Sequence, residues 1–362
     1  MGVLTALLIL AGLIVVHEAG HFLAARWLGI RVSGFSIGFG PALVQKRRQG
    51  VLYALRLIPL GGFVSFPDEE DDSTFPADDP HLLRNRPLTH RALVIAAGVV
   101  ANLLLAWLVL FGQGLWLGIP DGIRSDGGVL VSSVLTDQPA QLSGLRAGDR
   151  VLAVGSRSLG GGQQAVSDLV SMIRESPQLP LPLKVLRGSQ QLAIRLVPAV
   201  ADGHGRIGAQ LQPSGMETFR RPRSPLEPIE QANRQMLALT GRTVEGFASL
   251  ITHFSETASQ VSGPVKIVAM GASLAQQGGS SLFLFTALIS INLAVLNALP
   301  LPLLDGGQMA LLLIEGLRGR PLPDRLQLAF LQSGFVFLVG LSLLLIVRDT
   351  SQLPAIQQLV GR

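Results

Sequence analysis

Long apolar runs alternate with polar, glycine-rich and proline-rich stretches along this chain of 362 residues. Four of the runs are long enough to cross a membrane, because about 20 apolar residues span the hydrocarbon core. Between the second and third runs, short β-rich segments alternate with turn residues, which predicts one small soluble domain. The predicted segments, in order, are a first helix at 1–26, an extended region at 31–66, an acidic linker at 67–91, a second helix at 92–119, the soluble domain at 120–215, amphipathic or interfacial helices at 224–279, a third helix at 280–317 and a fourth helix at 326–347.

The extended region is predicted to form strand-rich hairpins. Phe35, Ile37 and Phe39 alternate with small or polar residues, a basic turn follows at 46–50, and a second β-rich run begins at Val51. This alternation is typical of half-buried strands. Adjacency to the first apolar run favours a sheet at the membrane surface, while the pattern alone fits an ordinary cytosolic hairpin equally well.

The first apolar run has a second interpretation, which is a cleaved signal peptide. Such a peptide needs a basic segment before the apolar run and a small-residue cleavage site after it. No Lys or Arg precedes Arg26, and ionisable side chains stand where the cleavage region would lie. A retained membrane span is therefore the better prediction.

The composition supports a membrane protein. Hydrophobic residues make up 48% of the chain and charged residues only 15%, whereas soluble proteins carry about a quarter charged residues. The 29 basic and 24 acidic residues leave a net charge of +5, but no basic stripe with interleaved aromatic residues occurs, which argues against nucleic-acid binding. The chain has no cysteine, so disulfides and thiolate metal sites are excluded.

Basic residues beside the apolar runs predict the orientation of the chain. Many Lys and Arg residues lie between Arg26 and Arg91, and Arg318, Arg320 and Arg325 occupy the short loop before the fourth run. Positive charge next to membrane spans marks the cytosolic side. The acidic linker is then cytosolic, and the soluble domain and both termini lie outside.

The first apolar run carries a His-Glu-x-x-His motif. His17, Glu18 and His21 are the ionisable side chains of this run before Arg26. Ionisable side chains inside a membrane usually belong to a functional site. On a helix, His17 and His21 lie on one face about one turn apart, so both imidazoles can bind one metal ion. Glu18 is suited to act as general base on a water that the metal activates, and the alternative is a chance match to a short motif.

A catalytic zinc site takes three protein ligands, and without cysteine the third must be His, Asp or Glu. At membrane depth the remaining candidates are Asp305 and, one short helix later, Glu315. Asp305 is preferred because Pro300 and Pro302 break the third span just before it, and an irregular backbone can line a cavity. Its alternative role is to cap the helix that begins near Gln308.

Asn102 is a lone polar side chain within the second apolar run. An Asn inside a membrane most often makes a helix–helix hydrogen bond. A functional role for Asn102 is therefore the lesser hypothesis.

Together these motifs resemble the site-2 protease family of intramembrane zinc metalloproteases, and most closely the bacterial regulator-of-sigma-E protease group. The resemblance extends over nearly the whole chain, and its most specific part is the pairing of the two metal motifs within spans. The matching segments are His17–His21, Phe35-Ser36-Ile37-Gly38-Phe39-Gly40, Pro59-Leu60-Gly61-Gly62-Phe63, Ile95-Ala96-Ala97-Gly98 with Asn102, Ser262-Gly263-Pro264, Leu288-Ile289-Ser290-Ile291-Asn292-Leu293 and Asn297 to Gly307.

The resemblance implies a metalloendopeptidase with one Zn²⁺ per chain. The zinc ion would be held by His17, His21 and Asp305, and Glu18 would be the catalytic base. This set agrees with the ligands that the residues themselves favour.

The resemblance also implies how a substrate binds. Asn297 would contact the substrate backbone near the scissile bond. Gly61 and Gly62, in a membrane-reentrant β-loop, would present a strand edge to an unwound substrate.

The soluble domain at 120–215 resembles the PDZ domains of bacterial envelope proteases through the segment Gly144 to Leu152. The resemblance implies a polytopic α-helical membrane protein with about four transmembrane helices, a membrane-associated β-hairpin region and one extracytoplasmic PDZ-like domain. That domain would either bind peptide C-termini or exclude substrates with intact bulky ectodomains.

The leading functional hypothesis is an intramembrane endopeptidase that cleaves transmembrane segments in regulated intramembrane proteolysis. Its expected partners are the lipid bilayer and single-span proteins already cut outside, such as anti-sigma factors or remnant signal peptides, and no nucleic acid. The expected location is a bacterial inner membrane, or else a plastid or thylakoid membrane, with the active site toward the cytosol. The alternatives are a non-catalytic adaptor that uses the PDZ-like domain and a metal transporter, although no second set of ionisable residues marks an ion path.

Overall fold

A computed structural model describes residues 2–69, 75–135, 137–201, 203–253, 263–277 and 279–351. Residues 70–74 of the predicted acidic linker, and Ser262 of one matching segment, lie outside the described residues. The chain forms two compact units. The first comprises Met1–Leu117 with Pro222–Arg362, and the second comprises Gly118–Arg221.

The described residues contain no cis peptide bond. The helices are α1 (Gly2–Trp27), α2 (Leu88–Trp116), α3 (Pro139–Leu142), α4 (Gly162–Glu175), α5 (Glu227–Thr252), α6 (Pro264–Gln277), α7 (Gly279–Ala298), α8 (Asp305–Arg318) and α9 (Asp324–Ser351). The strands are β1 (Gly34–Arg48), β2 (Val51–Ser65), β3 (Ile119–Val134), β4 (Arg150–Val154), β5 (Arg157–Ser158), β6 (Leu181–Arg187), β7 (Gln190–Leu196), β8 (Ala199–Ala201), β9 (His204–Arg206) and β10 (Ala209–Arg220).

Within the described part of the first unit, four helices are long and apolar enough to cross a membrane, namely α1, α2, α7 and α9. The prediction of about four transmembrane helices is thereby confirmed. Large apolar side chains on these helices remain exposed, among them Leu8 at 64% and Leu104 at 56%. Such exposure fits contact with lipid, because in a membrane the outer surface of a helix does not face water.

Small residues allow α1 and α2 to lie close together. A Cβ atom on Gly20 of α1 would lie 2.8 Å from the Cβ of Ala101 and closer still to the carbonyl oxygen of Ala97. Helix association inside membranes depends on such close backbone approach. On its far side α2 packs against α7 and α5 through a buried cluster of Ala106, Leu110, Ala232, Ala287 and Ile291.

The extended region forms a sheet from β1 and β2, in which part of β1 pairs with two segments of β2. Residues 42–48 pair with 51–56 around a turn at Gln49 and Gly50, whose φ angles are 50° and 82°. Residues 34–37 have partners on both sides, 52–55 on one and 62–65 on the other. The segment 62–65 has no second partner strand among the described residues, so its outer edge is unpaired.

The inner part of this sheet is fixed to the helices by an apolar cluster. Val32, Val51 and Phe66 are buried together with Ala25 of α1 and Val94 of α2. The sheet therefore sits directly beside the end of α1, as the hydrophobic effect requires of a strand pair with one apolar face. This packing places the edge 62–65 next to the helix that carries the metal motif.

The second unit is built on a sheet in the order β10-β3-β4-β6-β7, with β5 paired to β4 and a separate β8–β9 pair. One core joins the inner face of this sheet to α4, whose Leu169 and Ile173 are buried against Val129, Val151 and Val185. Strand β10 continues past the predicted end of the soluble domain at 215, and its last residue, Arg220, opposes Ile119 of β3. Pairing with β3 extends β10 over a segment whose Pro213 and Gly215 locally resemble a turn.

A buried ion pair ties the turn at 144–149 to β6. The carboxylate of Asp149 is 1% exposed and accepts hydrogen bonds from Arg187 Nε at 2.7 Å and Nη2 at 2.8 Å. The backbone N–H of Arg146 donates a third bond at 2.9 Å. Burial alone would raise the pKa of Asp149, but these charge-assisted bonds outweigh it and hold the pKa below its usual value.

Candidate metal centre

The His-Glu-x-x-His motif lies in α1, where both histidines face α2 and the end of α7. The Nε2 atoms of His17 and His21 are 3.3 Å apart, and the two rings meet edge to face with their centroids 4.8 Å apart. The spacing of four residues on a helix produces this approach, because it places side chains on one face about one turn apart. Both rings are nearly excluded from the surface, with side-chain exposures of 8% and 12%.

Asp305 reaches the histidines from the break after α7. Its Oδ2 lies 3.2 Å from His17 Nε2 and 3.4 Å from His21 Nε2. Asp305 is the first residue of α8, whose cap is Leu304, and no side chain caps this helix. The alternative that Asp305 caps the helix was therefore wrong, and its carboxylate is directed at the two imidazoles instead.

The break itself has a physical cause in its prolines and glycines. Pro300 and Pro302 cannot donate the backbone bonds that would continue α7. The chain then turns tightly, since a Cβ on Gly307 would lie 2.7 Å from the carbonyl carbon of Leu301. Leu303 has a φ of 69°, the left-handed conformation that side chains rarely adopt. The turn directs Asp305 back toward α1.

His21 is held in one orientation by the backbone of α2. Its Nδ1–H donates a hydrogen bond to the carbonyl oxygen of Val94 at 2.8 Å. A neutral imidazole with its proton on Nδ1 keeps a lone pair on Nε2. The ring therefore presents a ligand atom toward Asp305 and His17.

Gly98 of α2 makes room for both rings. A Cβ at this position would lie 2.6 Å from His21 Cε1 and 2.7 Å from His17 Cε1. Any larger residue would have to displace an imidazole, because the rings are enclosed by α1, α2 and the α7–α8 turn. The glycine is thus part of the site although it carries no functional group.

These residues fit a bound metal ion. One ligand atom from each of His17, His21 and Asp305 lies within 4.8 Å of the others, and no second cluster of this kind occurs among the described residues. Asp305 Oδ2 is buried and has no hydrogen-bond donor in the described part of the chain. Three electron-pair donors that converge on one point fit a bound cation, and two imidazoles with one carboxylate are a donor set of catalytic zinc sites.

A cavity of about 390 Å³ opens on this cluster. Glu18 lines it beside the histidines, and its carboxylate accepts a hydrogen bond from the backbone N–H of Val64. Gly62 lies directly alongside, since a Cβ on it would be 3.2 Å from Glu18 Cγ. The edge of the segment 62–65 that faces no other strand therefore borders the cavity, where its Val64 N–H is bonded to Glu18.

Asn297, at the end of α7, lines the same cavity. Its Nδ2 lies 3.3 Å from His17 Nε2. The sequence-predicted residues His17, Glu18, His21, Asp305 and Asn297 thus line one cavity. Gly62 lies beside Glu18, and Gly61 precedes Gly62 on the same strand, β2.

Glu315, the other acid considered as a ligand, lies elsewhere. It is buried in α8 and pairs with Arg91 of α2 at 2.8 Å. It also accepts hydrogen bonds from Leu322 N at 3.2 Å and Gln327 Nε2 at 3.4 Å. The Glu315 carboxylate therefore bonds α8 to α2, to the loop before α9 and to α9 itself.

The profile of peptidase family M50 matches residues 5–341. The chain belongs to this family. M50 is the site-2 protease family, so the resemblance drawn from the sequence motifs is confirmed. The chain is accordingly a zinc-dependent metalloprotease and an integral membrane protein.

Similar proteins from bacteria and a plant agree with this assignment. A candidate zinc metalloprotease of Nostoc sp. is 47% identical over 355 residues, which are 98% of this M50 chain and 97% of the relative. The membrane metalloprotease ARASP, chloroplastic, of Arabidopsis thaliana is 43% identical over 361 residues, 99% of this chain and 80% of the relative. A candidate zinc metalloprotease of Clostridium perfringens is 30% identical over 350 residues, 96% of this chain and 98% of the relative.

Sequence reasoning undervalued two residues of this M50 site. Gly98 was noted only as part of a matching segment, and Asn102 was assigned to helix packing. The structure places both on the face of α2 that meets the histidines, with Asn102 Nδ2 3.2 Å from His17 Nδ1. The sequence does show that Gly98 and Asn102 are four residues apart. This spacing places a small residue and a polar residue on one face of a helix and could have indicated their place beside the site.

Proposed function

We propose that this protein is an intramembrane zinc endopeptidase that cleaves transmembrane segments of single-span membrane proteins. The observation that carries this proposal is the depth of the ligand cluster. His17 and His21 lie within the membrane-length helix α1, and Asp305 follows the break after the membrane-length helix α7. A metal site at this depth meets peptide bonds that lie in the membrane rather than in water.

We assign the zinc ligands as His17, His21 and Asp305 and the general base as Glu18. When bound, zinc supplies Lewis-acid activation of the attacking water and of the scissile carbonyl. Glu18 takes a proton from the attacking water and delivers it to the leaving amine nitrogen, as a general base and then a general acid. Its place on the helical turn between the two histidines, at the cavity wall, supports this role.

The substrate binds in an extended conformation. A peptide bond inside a helix is shielded, and backbone groups freed from a helix in a dry site must be paired again. The unpaired edge at 62–65 can supply partners by strand addition. Gly62 lets the added strand lie close to Glu18, and the amide of Asn297 donates to a peptide carbonyl at the opposite side of the cavity.

We further propose the biological setting that the resemblance implies. The substrates are anti-sigma factors already cut on the extracytoplasmic side, or remnant signal peptides. The protein resides in a bacterial inner membrane with its active site toward the cytosol, and a plastid or thylakoid membrane is the alternative. The name of the plant relative, which places that protein in the chloroplast, supports keeping this alternative.

The unit Gly118–Arg221 is proposed to be the PDZ-like domain, on the extracytoplasmic side. Its antiparallel sheet with α4 packed on one face is compatible with such a domain. We propose that it excludes substrates whose ectodomains are intact, with binding of peptide C-termini as the alternative role.

Cleavage by the purified full-length protein in liposomes, with a tagged single-span substrate, tests the proposed chemistry. Glu18→Gln is expected to lower the cleavage rate by a factor on the order of 10² to 10⁴, the usual contribution of a general base. Zinc content should stay at one ion per chain, because Glu18 is not a ligand. Asp305→Ala should lose both zinc and activity.

Glu230→Gln is the matched control, because Glu230 lies on α5 and its side chain is 64% exposed. It should cleave at the wild-type rate. A Glu18→Gln protein that cleaves as fast as the wild type would refute the proposed function. Zinc uptake into sealed vesicles without peptide cleavage would identify a transporter instead.

A further inference from the structure

The side chain of Asn102 lies against the ligand cluster but has no part in the chemistry assigned so far. Asn102 is fully buried in α2, at 0% exposure. Its Nδ2 is 3.2 Å from His17 Nδ1. The contact is on the side of the imidazole away from Nε2, the atom that faces Asp305 at 3.2 Å.

A histidine that binds a metal through Nε2 needs a hydrogen-bond acceptor at Nδ1. The neutral ring carries one proton, and that proton must be on Nδ1 if Nε2 is to offer a lone pair. For His21 the acceptor is the carbonyl oxygen of Val94, at 2.8 Å. For His17 the atom within hydrogen-bonding distance of Nδ1 belongs to the Asn102 amide.

The nitrogen and the oxygen of the Asn102 amide are not equally suited to contact His17 Nδ1. With Nδ2 toward His17, an N–H of the amide faces the N–H of the ring, and Oδ1 is buried without a donor among the described residues. A buried oxygen without a hydrogen-bond donor is unfavourable. Rotation of the amide by half a turn exchanges oxygen and nitrogen, which have nearly the same shape. Oδ1 then accepts the hydrogen bond from Nδ1–H.

We propose that Asn102 is the positioning residue of His17, whose Nδ1–H donates to the Asn102 side-chain oxygen. This bond sets the tautomer and the orientation of the ring, so that Nε2 is directed at the metal position. The inference rests on the proposed function, because it takes His17 to be a zinc ligand. Hydrogen-bond partners of metal-binding histidines typically contribute about 10-fold to 100-fold in metal affinity.

The turn of α2 that carries Asn102 is bonded to α7. Ser290 Oγ of α7 donates to the backbone oxygen of Asn102 at 2.8 Å, which joins this turn of α2 to the helix that leads to Asp305. One turn earlier, Gly98 leaves the space that both imidazoles occupy. Gly98 and Asn102, on one face of α2, therefore lie against two different edges of the His17 ring.

Zinc affinity of the purified full-length protein, measured by competition with a chromogenic chelator, tests this role without any cleavage assay. Asn102→Leu preserves the approximate volume but removes the acceptor, and zinc affinity should fall by about 10-fold to 100-fold. Asn102→Asp keeps two acceptor oxygens and removes the amide N–H, so its affinity should remain within about threefold of the wild type. Thr286→Ala, which removes a hydrogen bond to Leu282 within α7, should bind zinc like the wild type.

The variants separate the competing explanations. Wild-type affinity in Asn102→Leu would show that Asn102 only fills space, and this inference would be wrong. An affinity in Asn102→Asp as low as in Asn102→Leu would overturn the assignment of the oxygen as the acceptor. If the wild type itself binds no stoichiometric zinc, the proposed function fails first, so the two failures are distinguishable.

Discussion

Single residues without reactive groups decide whether the metal motif can work. Gly98 has no side chain where a Cβ would meet both imidazoles, and Gly20 lets the carbonyl of Ala97 approach α1. The His-Glu-x-x-His motif places two rings on one face of a helix, but only a glycine on the facing helix leaves room for them. The site thus needs a residue without a side chain at position 98 as much as it needs the imidazoles of His17 and His21.

Gly98→Ala is expected to lower zinc affinity by about 10-fold to 100-fold, in the range of changes that disturb the support of metal ligands. The physical reason is overpacking, because the added methyl group would have to displace an imidazole, which typically costs about 1–3 kcal/mol. Zinc affinity and cleavage of the full-length protein are the measurements. Gly112→Ala is the control on the same helix, since its Cβ would meet only Phe283, at 4.0 Å. Equal zinc affinity in the two variants would contradict the role given to Gly98.

At the scale of elements, the sheet of β1 and β2 depends on its bends. Gly61 has a φ of 113°, and a Cβ there would lie 2.8 Å from Phe39 Cζ and closer still to Cε2. A glycine is needed for both reasons, the backbone conformation and the close approach of the ring. The bend at Gly61 returns the chain along residues 34–37 and so creates the edge at 62–65 that borders the cavity.

Gly61→Ala is expected to reduce kcat/KM for a membrane-embedded substrate by at least about tenfold, because strained backbone at such a position costs about 1–3 kcal/mol and shifts the edge strand. Zinc affinity should be unchanged, since no ligand lies on this sheet. Gly50→Ala serves as the control, because its φ of 82° imposes similar strain at the outer turn with no atom within 4 Å of the added Cβ. A loss of cleavage in both variants alike would show that general damage to the sheet, not the substrate edge, is responsible.

At the scale of the whole molecule, the chain joins a helical unit that contains the entire candidate site to a separate β-rich unit. All lining residues of the cavity come from the first unit. The second unit begins and ends in one strand pair, since Ile119 of β3 opposes Arg220 of β10. Its two chain ends are therefore neighbours, so that a short linker can replace the unit.

Replacement of residues 119–220 by a short Gly-Ser linker should leave zinc content at one ion per chain and preserve cleavage of a substrate already trimmed outside. If the second unit excludes bulky ectodomains, the shortened protein should also cleave an untrimmed substrate that the wild type rejects. Gel analysis of both tagged substrates in liposomes measures this. Loss of cleavage of the trimmed substrate, with zinc retained, would instead indicate that the unit binds substrate.

Several features of this chain are local, and its sequence alone predicts them. The four spans follow from the length of apolar runs, and the meeting of His17 with His21 follows from helical spacing. The prolines at 300 and 302 also predict a break from their own chemistry. The end of the second unit was placed at 215 instead of 220, because the last residues of β10 are held by pairing with β3 and not by the pattern of their own side chains.

The sequence by itself determined the membrane class, and it identified the first two candidate ligands and the candidate base because these three residues lie within one helix. The sequence favoured Asp305 over Glu315, but only the tertiary structure shows their contacts, with Asp305 directed at the imidazoles and Glu315 paired with Arg91. It also gave Asn102 its place beside His17 Nδ1. The rotation of α2 about its axis and the turn after α7 set these contacts, and both depend on packing between helices that are distant in the chain.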